Sequence, residues 1–307
     1  MPAVDISSAA GPSLHGFLVV DKPAGWTSHD VVARARRLTG QRRIGHAGTL
    51  DPAATGVLPL AVGSATRVLE YLAGASKTYL ADVTFGVETD SFDGDGRVTT
   101  MRDASSLTRV DVEYLLQPFL GASSQIPPMH SAIKIGGRRL YELARRGEEI
   151  ERPPRDVVIS TLDLIDWQPP VATLLVDCSK GTYIRSLARD LGAASGTGAY
   201  LSNLVRLRTG PFTLCEAITL GDLAASALPW AWTSLAVHPD AVLEEWPALL
   251  LDAAGATAWS TGLALPAAGD ASGMCRAYDT AGAWLGVGTA DDVANLWRPA
   301  KVIESAA

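Results

Sequence analysis

Apolar residues fall along the first two-thirds of the chain in short runs separated by turn chemistry. Phe17-Leu18-Val19-Val20 reads as a strand closing at Asp21, and the following Lys22-Pro23-Ala24-Gly25-Trp26-Thr27 as a turn that delivers the chain to a helix capped by Ser28. Val32, Ala35 and Leu38 recur at helical spacing, and Gly40 stops that helix. Residues 57–63 read as a strand or apolar loop, 64–72 as a short helix, 78–87 as a strand and 110–120 as a helix. A strand is expected at 131–135 and a helix at 139–146. Two more strands, 157–166 and 172–177, flank a Gln168-Pro169-Pro170 turn, before a helix at 183–193 and a strand at 204–208. Strands and helices mix without a steady βαβ rhythm, which predicts an α+β fold.

After Asp222 the texture changes. Alanine, tryptophan and acidic residues dominate to about residue 245, and short strand-like pieces follow at 262–266, 275–278, 284–287 and 296–302. Their spacing predicts a small β-barrel or sandwich. The chain therefore divides into a tail (1–14), a large domain (15–222), a connecting segment (223–245) and a small β-domain (246–307).

With 307 residues, 47% of them hydrophobic, the chain can bury a large core, and no run long enough to span a membrane interrupts it. The first fourteen residues lack the basic and apolar regions of a signal peptide. Cys178, Cys215 and Cys275 are isolated, which points to a reducing cytoplasm without a disulfide framework or structural zinc. Charge is shared unevenly. Residues 212–307 carry three basic against eleven acidic side chains, leaving 23 against 22 in residues 1–211. A polyanion is therefore expected to meet the first two-thirds of the chain. Five arginines there (Arg34, Arg36, Arg37, Arg42 and Arg43) run directly into the turn Gly45-His46-Ala47-Gly48-Thr49-Leu50-Asp51-Pro52.

The signatures of serine hydrolases, zinc proteases, P-loops and dinucleotide-binding folds are missing; Gly196-Thr197-Gly198 and Gly286-Val287-Gly288 each lack a third glycine. Four polar constellations remain: Lys22-Pro23-x-Gly25-x-x-Ser28, the Asp51 turn, Lys77-Thr78-Tyr79, and Gly181-Thr182-Tyr183-Ile184-Arg185. Between them lies the stretch 125–134, and taken singly these residues have plain explanations: Asp51 capping its own backbone, Tyr79 in a core, Arg185 on a helix surface, Lys134 at a solvated strand end.

Together, in order from about Gly16 to Arg208, they resemble the TruB family of tRNA pseudouridine synthases, and the C-terminal Gly-x-Gly and Arg-Pro-x-Lys-Val elements resemble a PUA-type RNA-binding domain. The resemblance implies a mixed, mainly antiparallel sheet flanked by helices, with a PUA-like β-domain. It implies isomerisation of the T-loop uridine of tRNA, normally position 55, by a monomer that needs no cofactor or metal. Asp51 would be the nucleophile, Tyr79 the aromatic group and base against the flipped uracil, and Arg185 the partner of the aspartate. Tyr183 and Leu204 would line the pocket and His46 would fill the space the base leaves. Lys22 and Pro23 would belong to a motif beside the active-site loop, with Lys22 counted among the substrate-binding residues. Phosphate contacts are expected from Arg34, Arg36, Arg37, Arg42 and Arg43, or from Lys134 and Arg138, with Arg42, Arg43 and Lys134 the leading substrate-binding candidates, and Arg298 and Lys301 are the basic candidates of the acidic C-terminal part.

Physical chemistry suits those roles. A carboxylate can add to carbon and later leave. A base-sized pocket is dry, which raises a carboxyl pKa, and a guanidinium opposes that rise. Two alternatives stand beside isomerisation: a base-flipping glycosylase using the same Asp51, and a tRNA-binding or tRNA-folding protein in which catalysis is secondary.

Overall fold

The apolar run at the start of the chain forms the strand Gly16–Lys22, whose alternate side chains enter two different cores. Leu18 and Val20 lie beneath the helix Ser28–Thr39, packed with its Val31, Val32 and Ala35. Phe17 and Val19 face the other way, against Val57, Val68 and Phe212. Burial on both faces is why this strand shows no alternation. The structure, a computed structural model, describes residues 15–303 except 132, 141, 142, 144, 145, 147, 149, 226–233 and 268; the expected tail and part of the connecting segment therefore lie outside the described residues.

Ten strands form the main sheet. Its order is Ile218–Thr219, Gly16–Lys22, Thr55–Val62, Ala199–Thr209, Lys77–Phe85, Val171–Cys178, Arg155–Gln168 and Gly121–Gln125, with Ile44–His46 and Phe212–Thr213 paired off this path. Two pairings are parallel, Ile218–Thr219 with Gly16–Lys22 and Ala199–Thr209 with Thr55–Val62; the others are antiparallel. The fold is α+β, with a mixed, mainly antiparallel sheet. Lys77–Phe85 alternates cleanly, burying Tyr79, Ala81, Val83 and Phe85 in one core with Leu187 and Leu191 of the helix Ile184–Ser195.

Several local expectations shift. The helix cap is Thr27, whose hydroxyl accepts from Asp30 N while the Asp30 carboxylate accepts from Thr27 N. This reciprocal capping box outcompetes Ser28 for the position. The helix expected at 110–120 is Arg109–Leu116 followed by a 3-10 turn, Gln117–Phe119, because Pro118 cannot extend the ladder. The strand expected at 131–135 is reduced to Lys134–Ile135, hairpinned to Arg138–Arg139 through Gly136 and Gly137, both at positive φ. Of the helix expected at 139–146, Leu140 and Leu143 are helical, and residues 141, 142, 144 and 145 lie outside the described residues.

The C-terminal part is a five-stranded sheet ordered Ala248–Leu251, Met274–Asp279, Trp284–Asp291, Leu296–Val302 and Leu265–Pro266. It also holds a helix, Ala253–Ser260, that the strand-like pattern did not suggest, capped by Asp252. Trp259 from this helix is fully buried and donates its indole N–H to Leu285 O at 3.2 Å. The Gly286-Val287-Gly288 element is a packing device: a Cβ on Gly288 would meet Trp259 at 2.6 Å and Cys275 at 2.9 Å. Trp284, Val287 and Ile303 also join the core around Phe17 and Phe212, so the two sheets share apolar surface.

Candidate active site

The strand Ile44–His46 pairs antiparallel with Thr55–Val62, and the turn between them carries Asp51. Both neighbours of Asp51 are fixed. The buried Ser28 hydroxyl, freed from capping, accepts from Leu50 N at 3.0 Å and donates to Leu50 O at 3.2 Å. On the other side Pro52 O accepts from Gly25 N at 2.9 Å and from Lys22 Nζ at 3.0 Å. Lys22 has no exposed surface, and its ammonium also donates to Pro23 O and Trp26 O. With three donors on three carbonyls, Lys22 reaches a substrate only through the turn it ties. Burial brings its pKa down to about 8, opposed by Asp51.

Arg185 enters from the first turn of Ile184–Ser195, with Tyr183 as N-cap. The side-chain amide of Gln125 grips the Tyr183 backbone, donating to Tyr183 O at 3.1 Å and accepting from Tyr183 N at 2.8 Å. Arg185 is 4% exposed and forks onto Asp51, with Nε to Oδ2 at 3.0 Å and Nη2 to Oδ1 at 3.1 Å. Its remaining donors go to His130 O at 2.7 Å and Ser91 O at 3.4 Å, and Nη1 lies 3.3 Å from Asp93 Oδ2. Burial pushes the Asp51 carboxyl up; Arg185 is the largest opposing influence, while Asp93 adds to the rise. The side chain keeps 39% of its surface open, so the carboxylate is anchored on one side and accessible on the other.

Asp93 is a site residue that the sequence reading missed. It sits in the Thr89–Gly96 turn, where Thr89 Oγ1 donates to Asp93 O at 2.8 Å and Leu201 N donates to Phe92 O at 3.0 Å. Phe92 holds φ +66, unusual for a bulky residue, with the Arg189 guanidinium 5.0 Å over its ring. The signal was present as three aspartates interleaved with glycine, Asp90-Ser91-Phe92-Asp93-Gly94-Asp95-Gly96, a pattern that reads equally well as a solvated hairpin.

Tyr79 and Leu204 are buried in one core with Leu50, the residue before Asp51. Burial pushes the Tyr79 hydroxyl up, and the Arg206 guanidinium opposes it. Tyr183 is half-buried, and burial raises its hydroxyl too. His46 stacks edge-on against the exposed His29 at 5.6 Å; its pKa is brought down to about 4, mainly by burial, and its buried Nδ1 has no hydrogen-bond partner. His46 is therefore neutral over the ordinary pH range.

The arginines leading into the turn are not all free. Arg36 Nη2 donates to Ile44 O at 2.7 Å and Arg43 Nε to Thr66 Oγ1 at 2.7 Å, while Arg42 is exposed. Lys134 lies on the short hairpin, and the neighbouring Arg138 is 3.5 Å from Glu148. Arg298 pairs with Asp291 at 2.8 Å and Lys301 with Glu70 at 2.8 Å, so both basic candidates of the C-terminal part have carboxylate partners within the chain.

Residues 36–184 match the model of the TruB family pseudouridylate synthase N-terminal domain, and residues 185–246 match the tRNA pseudouridylate synthase B C-terminal domain. A tRNA pseudouridine synthase B of Trichormus variabilis is 43% identical over 90% of this chain and 94% of its own length. That of Symbiobacterium thermophilum is 56% identical over 70% of this chain and 73% of its own. The structure of a Cbf5-Nop10-Gar1 complex shares the fold at a TM-score of 0.71 and 24% identity, covering 98% of this chain and 90% of that one. An H/ACA RNP bound to a substrate RNA containing 2'-deoxyuridine does so at 0.68 and 22% identity, covering 97% and 92%.

Proposed function

The chain belongs to the TruB family of pseudouridine synthases and isomerises uridine in tRNA to pseudouridine, and from that premise we propose that it acts on the T-loop uridine at position 55 with Asp51 as nucleophile. The observation that carries this reading is the two-pronged Arg185–Asp51 contact, on a carboxylate with one open side. Asp51 attacks and later leaves; Arg185 holds it ionised where burial favours the acid. Tyr79 packs on the extruded uracil and serves as base, and Leu204 and Tyr183 complete a lining that excludes water. Without that lining, water would capture the detached sugar. His46, uncharged, enters the T loop in place of the base, at a site where extrusion costs a few kcal/mol. Arg42 and Arg43 grip backbone phosphate near the turn, with Lys134 in support.

In this reading residues 15–222 carry catalysis, and 246–307, joined through 223–245, form a PUA-like cap. The protein works as a monomer in the cytoplasm. Three unpaired cysteines, two of them buried, suit that reducing compartment.

The test is purified protein with an isolated T-arm stem-loop in metal-free buffer, followed by nucleoside analysis. Pseudouridine at unchanged RNA mass is expected, with none formed by Asp51→Asn while RNA retention on filters persists. Free uracil would replace isomerisation by hydrolysis, and an active Asp51→Asn would remove the aspartate from its role.

A further inference from the structure

Beneath the Asp51 turn lies a second buried guanidinium. Arg206 is 1% exposed and sits on the central strand Ala199–Thr209, facing Tyr79 across the antiparallel ladder and Gly56 across the parallel one. Its Nε donates to Val57 O at 2.7 Å and its Nη2 to Gly48 O at 2.9 Å. One side chain thus ties both ends of the turn that carries Asp51. The same guanidinium lies against the Tyr79 hydroxyl. The backbone around it has no slack: a Cβ on Gly56, at φ +98, would meet Arg206 O at 2.2 Å.

Among the described residues, Tyr79 is the group that favours the charge on Arg206, while Lys22, His46 and Lys77 are themselves disfavoured as cations by it. A buried cation without a carboxylate is costly, and two carbonyls need only a neutral donor. The charge therefore calls for another explanation. We infer that Arg206 is a positioning residue, holding the Tyr79 hydroxyl and the Asp51 turn in one frame and stabilising negative charge on the Tyr79 oxygen. The inference rests on the reading of Tyr79 as base. When the phenolate takes a proton from a nucleoside carbon, an O–H bond forms and the C–H electron pair stays on the nucleoside. Tyr79 faces Arg206, Cys178 and Asp51; burial, the thiol and the carboxylate all keep its proton on, and Arg206 works against them.

The test measures single-turnover pseudouridine formation by the full chain on T-arm RNA, from about pH 6 to about pH 9. Arg206→Met is expected to slow conversion by ~100-fold at every pH in that range, with KM within about threefold. Arg206→Lys retains the charge but not the fork, so kcat falls by less than in Arg206→Met while KM is kept. In a Tyr79→Phe background, adding Arg206→Met is expected to cost little more, because the two act as a unit. Multiplying losses in the double variant, or a raised KM with kcat retained, would overturn the inference. Should Arg206→Met fail to fold, Arg206→Lys decides alone: a lowered kcat at retained KM that disappears in the Tyr79→Phe background supports it, and a change confined to KM overturns it. Asp51→Asn run in parallel separates the two readings. If it isomerises, the assignment of the site falls; if it is inactive while the Tyr79 and Arg206 losses multiply, only the role of Arg206 falls.

Discussion

Burial and Arg185 pull the Asp51 carboxyl in opposite directions, and with Asp51 as the proposed nucleophile, activity is expected to depend on which prevails near neutral pH. Burial raises the pKa, so the reactive carboxylate is lost as pH falls, starting above the ordinary carboxylate range. Arg185→Lys exchanges a rigid fork for a point charge and weakens the opposing pull. The single-turnover rate is expected to drop by ~100-fold, with the acid limb of its pH profile moved to higher pH. A limb that stays in place would show that Arg185 does not control the ionisation of Asp51. Asp93 answers to the same logic, since it shares the guanidinium at 3.3 Å and pushes the Asp51 carboxyl further up. Asp93→Asn is expected to move the acid limb to lower pH, the direction opposite to Arg185→Lys, in the same measurement.

At the scale of elements, the helix Ser28–Thr39 and the Asp51 turn are coupled by one hydroxyl. Thr27 and Ser28 are adjacent in sequence but divide two tasks: Thr27 caps the helix at an exposed position, and Ser28 clasps Leu50 in the interior. Thr27→Ala is expected to lower stability by about 1 kcal/mol and leave kcat/KM nearly unchanged. Ser28→Ala strands a buried Leu50 N–H, costs about 1–3 kcal/mol, and loosens the turn enough to lower kcat. Denaturant titration and single-turnover assays on the pair separate the two roles. From sequence alone Ser28 looked like the cap because it precedes the apolar stripe. The Asp30 carboxylate that selects Thr27 was equally visible, but its effect shows only once the backbone N–H groups of the first turn are oriented.

For the whole molecule, net charge is a poor guide to the RNA-binding face. The chain is acidic overall, yet the excess lies after residue 211, and there Arg298 and Lys301 are already paired with carboxylates. Docking on the first two-thirds predicts tRNA affinity that falls steeply with salt, with a log–log slope of about −3 or steeper. Arg42→Ala and Arg43→Ala are each expected to flatten that slope by about 1, while Arg298→Ala leaves it in place. Binding measured from low to moderate salt checks this, and a salt-independent affinity would move the docking face elsewhere.

Local chemistry was enough to read the strand–turn–helix opening, a strand at 78–87 and the α+β class, because each depends on neighbours within a few residues; Asp51 stands out only when several motifs are taken together as a family resemblance. The five-stranded C-terminal sheet was legible as strands, but the helix Ala253–Ser260 was not. Its apolar residues are alanines and one tryptophan, too small and too few to draw a helical stripe. What no local pattern could supply is pairing across the sheet. Arg185 and Asp51 stand 134 positions apart and meet as a fork; Arg206 finds Tyr79 through strand register; Asp93 joins through a turn that resembles solvated surface. The sequence by itself determined which side chains were available and which local turns and strands would present them. Only the tertiary structure decided which charges share a buried, low-dielectric space, and that decides whether a carboxylate there is an anion.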